Sequence, residues 1–309
     1  AGETELALQL VAAQWRYWQL DGHLNVGRDL TNAALAMPGA DAPTAARLAA
    51  IAAAGGIAYW RSESELADQL YRKQLALAEQ LGDDRAAADA SFNLIFTRYI
   101  GGDIEDALAT IAESERRFRL LGDERGLARI EWTRGTIALQ AGDLPGAIEI
   151  MERSLARFAA TGDAWYHATA AGSLTYANWS AGNKPVAYQW FLTALAETLA
   201  MRDIASITIG LPMSAVLALD NRGPEVAATL MGAFENLRQL HGIEPPAGLN
   251  YLIETNKPIE RARVMLGDEA FEAAFDRGRR MSLDEAVALV AGDSKTSRSI
   301  WERRAAGSQ

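Results

Sequence analysis

The chain contains no cysteine, which excludes disulfides, thiolate nucleophiles and Cys-ligated zinc or iron, and fits a reducing cytoplasm. Histidine is nearly absent as well, with three in 309 residues, and none sits in an H-E-x-x-H arrangement. His23 follows a turn glycine, His167 lies in a first helical turn and His241 ends a helix. Each of these placements is structural before it is catalytic or metal-binding. Uninterrupted apolar runs of the roughly 18 residues that cross a membrane are missing. The opening "AGETELAL" has an acidic pair where a signal peptide would be basic. There is no G-x-x-x-x-G-K-[ST], G-x-G-x-x-G or G-x-S-x-G, and "GDSKTS" near the end only superficially resembles a phosphate loop. Basic patches are short, and 30 basic against 40 acidic residues leave a formal charge of −10, which repels nucleic acid. β-branched runs are scarce too.

What is abundant is Ala, Leu, Glu and Arg, the composition of an all-α protein. It is also regularly punctuated. Stepping by 20 residues from Gly142 reaches Gly22, Ala42, Ser62, Gly82, Gly102, Gly122, Gly142, Gly162, Gly182, Arg202, Arg222 and Gly242. Eight of these 12 are glycine, where 26 glycines in 309 residues would place about one by chance. A glycine in left-handed conformation closes one helix, and the Asp or Asn that follows caps the next. Pro185 and Pro224 fall in first turns, where proline is tolerated. Each unit is therefore about 17 helical residues plus a turn.

Alternate units differ, so the full repeat is 40 residues. Five residues after every second turn stand Gly27, Ala67, Ala107, Ala147, Ala187 and Ala227, small residues that let helices approach closely. Gly55, Gly135 and Ala215 share a phase in the first helices of their pairs, although Trp15 and Ile95 break that rule.

This pattern resembles the tetratricopeptide repeat, whose usual period is 34 residues. The resemblance implies a right-handed helical-hairpin solenoid of six pairs over residues 1–242. Residues 243–291 are expected to form a C-terminal helical cap, with Ser282-x-x-Glu285 as a capping box, and residues 292–309 a polar, frayed tail. Pro212 conflicts with its helix, which should kink or restart there.

In tetratricopeptide repeats the first helix of each pair lines the concave face. Counting back from each turn assigns Tyr59 and Trp60 to that face from the second pair and Phe92, Phe96 and Tyr99 from the third. The fourth pair supplies Arg129, Trp132 and Thr136, the fifth Tyr176 and Trp179, and the first Arg16. A wall of Trp, Tyr, Phe and Arg suits recognition of a flat apolar ligand or an extended peptide. The competing reading is that these rings are inter-helix core. Acidic pairs such as Asp83-Asp84 and Asp123-Glu124 lie where acids favour a helix N-terminus, so no catalytic carboxylates are assigned.

The segments "LMGAFENLRQLHGIEPP" and "ERARVMLGDEAFEAAFDRGRRMSLDEAVALV", with the opening "QWRYWQLDGHLNVGRDLTNAAL", resemble the C-terminal region of bacterial signal-transduction ATPase regulators. These are the LuxR/MalT-like and AfsR-like types and the related ATPase-linked adenylate cyclases. The resemblance implies a cytoplasmic sensor arm of a transcriptional or signalling regulator, receiving a small-molecule effector or a protein segment. ATPase, cyclase or DNA-binding functions would belong to other domains of the same protein. It implies no catalysis by this chain, no cofactor held by it, and no direct contact with nucleic acid or membrane. The alternative is a structural adaptor that scaffolds protein partners without a small-molecule site.

Overall fold

The computed structural model describes residues 2–100, 104–245 and 253–292, without the side chains of 99, 100, 104 and 105. Helices follow one another in hairpins, and the described residues contain no β-strand. The six pairs are α1 (Gly2–Leu20) with α2 (Leu24–Leu35), α3 (Ala45–Trp60) with α4 (Ser64–Leu81), and α5 (Asp84–Ile100) with α6 (Ile104–Leu121). Then come α7 (Glu124–Gln140) with α8 (Leu144–Thr161), α9 (Ala164–Ser180) with α10 (Lys184–Met201), and α11 (Ile204–Asn221) with α12 (Pro224–His241). The cap consists of α13 (Pro258–Leu266), α14 (Asp268–Gly278) and α15 (Leu283–Ala291).

The 20-residue punctuation is a beat of left-handed backbone. Gly22, Gly82, Gly122, Gly142, Gly162, Gly182 and Gly242 all have positive φ, between 62° and 83°. Ser62 and Arg202, two of the non-glycine positions, take the same conformation at φ 55°. At Arg222 the role passes one residue on, to Gly223. Gly102 lies outside the described residues. Behind the turns, the side chains of Asp83, Asp123, Asp143, Asp163 and Asp203 accept from amides of the next first turn at 2.9–3.2 Å. Asn183 makes no such side-chain bond, so the capping expected there is absent.

The beat fails at Ala42 because Pro38 ends α2 after 12 residues, short of the expected 17. Thr44 then caps α3 by accepting from the Arg47 amide at 3.2 Å. Pro212 does not restart its helix: α11 runs from Ile204 to Asn221 with Pro212 buried inside it. That helix is long and apolar enough to cross a membrane, the one such helix among the described residues. Because 67% of its apolar window is buried in the fold, its hydrophobicity is accounted for by packing.

The small positions after alternate turns serve close packing. Ala67, Ala107, Ala147, Ala187 and Ala227 have no exposed surface, and a Cβ on Gly27 would come within 2.7 Å of the Trp18 ring. Cap and solenoid cross still more closely. A Cβ on Gly278 would lie 1.9 Å from the Thr229 carbonyl, and one on Gly232 would lie 2.0 Å from that of Phe275. The capping box at Ser282 and Glu285 opens α15 as expected.

The pairs curve until the first meets the sixth. Helix α1 packs on α11, and Ile243, just beyond α12, is buried in one apolar cluster with Leu8, Leu24 and Trp60. His241 Nδ1 lies 3.2 Å from the Gly22 carbonyl. The Glu244 amide donates to the Trp60 carbonyl at 3.0 Å, and Ser62 Oγ donates to that of Pro245 at 2.9 Å. Residues 243–245, assigned to the cap, thus bind back to the first two pairs. The solenoid closes into a ring, and its concave side becomes an interior. Residues 293–309, expected to be a frayed tail, lie outside the described residues.

Candidate functional site

Closure brings aromatic side chains from different pairs into direct contact. Trp60 on α3 meets Trp165 on α9 edge to face, with centroids 6.4 Å apart. Phe96 bridges Tyr59 at 6.1 Å and Trp132 at 5.9 Å, and Trp132 reaches Tyr166 at 5.8 Å. These contacts fill part of the concave side and leave a compact cavity of about 300 Å³ beside them.

The cavity wall is built from repeating stripes. On α9 it takes Trp165, Ala168, Thr169, Gly172, Ser173 and Tyr176, spaced by three or four residues on one helical face. On α7 it takes Trp132, Thr133, Thr136, Ile137 and Gln140, and on α11 Ser206, Ile207, Gly210 and Ser214. Tyr59, Trp60 and Phe96 close one side; Phe191 and Leu195 of α10, with Val287 and Val290 of α15, complete it.

Of the residues assigned from sequence, Tyr59, Trp60, Phe96, Trp132, Tyr176 and Thr136 line this cavity. Phe92 does not: it is 2% exposed and packs in the core with Phe118, Ile111 and Ile130. It shares a stripe with Phe96 and touches that ring at 5.3 Å, but α6 and α7 cover it with Ile111, Phe118 and Ile130. Trp179 also misses the cavity, its indole N–H bonding Asp220 Oδ2 at 2.9 Å. Arg129 lies outside it, stacked on Tyr166 at 4.8 Å and paired with Asp89 at 3.3 Å and Asp163 at 3.7 Å. The Tyr99 side chain falls outside the described residues. Beside the first helices expected there, α10 and α15 also contribute to the wall.

The site also contains residues that sequence reading did not assign. Trp165 sits in the first turn of its helix, so counting back from the following Gly182-Asn183 turn passed over it. Arg16, assigned to the concave face from sequence, does not line the cavity; it stacks between Trp15 at 4.8 Å and Trp165 at 5.1 Å behind the wall and bonds Gln19. Burial lowers the Arg16 pKa, with Tyr166 and Asp203 opposing the shift. The small residues Gly172, Gly210, Ser206 and Ser214 were readable as an i, i+4 pattern but carry no side chain that attracts notice.

No family model matches the chain, and no curated protein does.

The lining contains no Asp, Glu, Lys, Arg or His. Its only ionisable groups are Tyr59 and Tyr176, whose phenols burial pushes far above their ordinary range, so both stay neutral. Among the described residues no group of three or more His, Asp and Glu is placed to hold a metal ion. The arrangement offers apolar contact, aromatic faces and a few hydroxyls, which suits binding.

Gly172 and Gly210 deserve comparison with the other helix-interior glycines. At Gly27, Gly55, Gly56, Gly126, Gly135, Gly146 and Gly232, an added Cβ would meet a neighbour at 2.0–2.8 Å. At Gly172 and Gly210 it would meet nothing within 4 Å. Close packing explains the first group except Gly146, whose neighbour is the Asp143 carboxylate that caps its own helix. Open space surrounds the second, and that space is the cavity.

Proposed function

We propose that this chain is a non-catalytic sensor module that binds a small-molecule effector in the interior of the closed solenoid. The observation that carries this reading is the pair Gly172 and Gly210, each costing about 1 kcal/mol of helix stability relative to alanine. Neither is required by packing, and both keep the cavity open. The cavity sits at the smaller end of the range for ligand sites, which starts at roughly 300 Å³. Val287 and Val290 give the cap a direct contact with whatever fills it.

The resemblance of the C-terminal segments to signal-transduction ATPase regulators supports a setting for this module. In that setting it is the cytoplasmic arm of a LuxR-type or cyclase-linked regulator, and occupancy is passed to an ATPase switch in another domain. A protein segment as effector fits less well, because the aromatic contacts interrupt the concave face. The adaptor alternative draws on a different observation, the exposed apolar stripe Leu6, Leu10 and Tyr17 on α1. A partner on that face would be insensitive to changes in the cavity.

Thermal unfolding in the presence of a small-molecule extract of the host cell tests the reading. A ligand at 100 times its dissociation constant adds about 2.7 kcal/mol. The midpoint should rise for the native chain and stay fixed for Gly172→Leu and Gly210→Leu, whose side chains would occupy the cavity. An equal rise in both variants, or no rise in the native chain, would overturn it.

A further inference from the structure

The chemistry of the wall specifies more than the presence of a ligand. Its hydroxyls are already committed as donors. Thr133 donates to the Arg129 carbonyl at 2.9 Å, Thr169 to that of Trp165 at 2.9 Å and Ser214 to that of Gly210 at 3.0 Å. Ser173 donates to the Thr169 carbonyl at 3.1 Å and accepts the Trp132 indole N–H at 3.1 Å. Hydroxyls bonded in this way offer an incoming molecule lone pairs and no proton.

The lining side chains whose donors no hydrogen bond uses include the Tyr59 phenol, the Gln140 amide and the Tyr176 phenol, and of these Tyr176 is the most deeply buried. It is 7% exposed and has no hydrogen-bond partner among the described residues, yet its oxygen is not among the buried polar atoms sealed away from open space. A buried phenol ordinarily finds a partner. This one lines the cavity and holds a proton to give. Burial raises its pKa, so it remains a neutral donor.

No formal charge stands on the wall to balance one on the ligand. A carboxylate, phosphate or ammonium entering this space would lose its hydration without a counter-ion. Trp60, Phe96, Trp132 and Trp165 present rings from four of the six pairs, and such surfaces favour a flat, polarisable body. A cavity of about 300 Å³ lies at the lower end of the range for ligand sites, which favours a small, compact body.

Resting on the sensor reading, we infer that the cavity takes a neutral, flat, ring-containing molecule whose carbonyl oxygen accepts a hydrogen bond from Tyr176. The discrimination is against charge first and against the missing oxygen second.

Three probes of nearly the same shape separate these terms: 2-acetylnaphthalene, 2-isopropenylnaphthalene and 2-naphthoate. The whole chain is titrated with each, following the quenching of its tryptophans, three of which line the cavity. The ketone should bind tightest, the hydrocarbon about tenfold more weakly and the carboxylate about a hundredfold more weakly. In Tyr176→Phe, ketone and hydrocarbon should become equal while the hydrocarbon keeps its native affinity. Gly172→Leu and Gly210→Leu should abolish binding of all three; circular dichroism shows whether each variant keeps its helices.

Naphthoate binding as tightly as the ketone would overturn the inference. So would a ketone advantage that survives in Tyr176→Phe, binding that survives both leucine variants, or no binding by any probe. An extract-induced thermal shift lost in the leucine variants would leave the sensor reading standing while the ligand class fell. Absence of that shift would remove the sensor reading itself.

Discussion

At the junction of the third and fourth pairs, Gly126 lies against the Phe118 ring, where an added Cβ would come within 2.2 Å. Phe92, Phe118 and Ile130 fill the space between those pairs. At the junction of the fifth and sixth, Gly172 and Gly210 face open space. Both junctions come from the same 40-residue unit with the same turns. Glycine thus serves opposite ends within one repeat: in one place it lets side chains in, and in the other it keeps them out. Within a repeat family, a site is read from where the packing rule is broken.

The sharpest way to break that comparison is to add one methyl group at each junction. Gly126→Ala should destabilise the fold by about 1–3 kcal/mol, because Phe118 must leave its position. Gly172→Ala and Gly210→Ala should each stabilise it by about 1 kcal/mol through helix propensity alone. Denaturant titration measures all three. The contrast fails if the signs agree.

A smaller effect is expected at Arg202, which is exposed and holds the left-handed conformation that glycine adopts at most other turns. Arg202→Gly should stabilise by about 1 kcal/mol, measured in the same titration. Ser62 has the same φ, but its hydroxyl bonds Pro245, so Ser62→Gly should not match that gain.

The smallest effect concerns the closure. Burial lowers the His241 pKa, with the Gly22 carbonyl and Asp21 opposing and His23 adding to the shift. A depressed folded-state pKa means that protonation favours the unfolded chain. The contribution of His241 is therefore complete above its unfolded value of about 6.5 and is lost as pH falls through the folded value. The melting midpoint should drop between pH 7 and pH 5, and His241→Gln should show a smaller drop.

Local features were the ones legible in sequence. The Gly-Asp beat, the small residues after alternate turns, the capping box and the break after Gly242 each express a rule acting within a few residues. Ring closure did not announce itself, because it joins Gly22 to His241 and sums small rotations over six pairs. For the same reason Phe92 and Trp179 read as concave-face residues: one helical turn along the stripe takes Phe92 into the core beside Phe118 and takes Trp179 to a half-buried bond with Asp220. The polar and small part of the site was harder still. Gly172 and Gly210 act by what they omit.

Closure also bears on how such a protein can change over generations. An open array of hairpins can gain or lose a unit by duplication or deletion, since each unit touches only its neighbours. Here the bonds from His241 to Gly22, from Glu244 to Trp60 and from Ser62 to Pro245 span the whole circuit. An extra hairpin would separate these partners, and one fewer would force them to overlap. Six is a fixed copy number, and change is confined to substitutions within the ring.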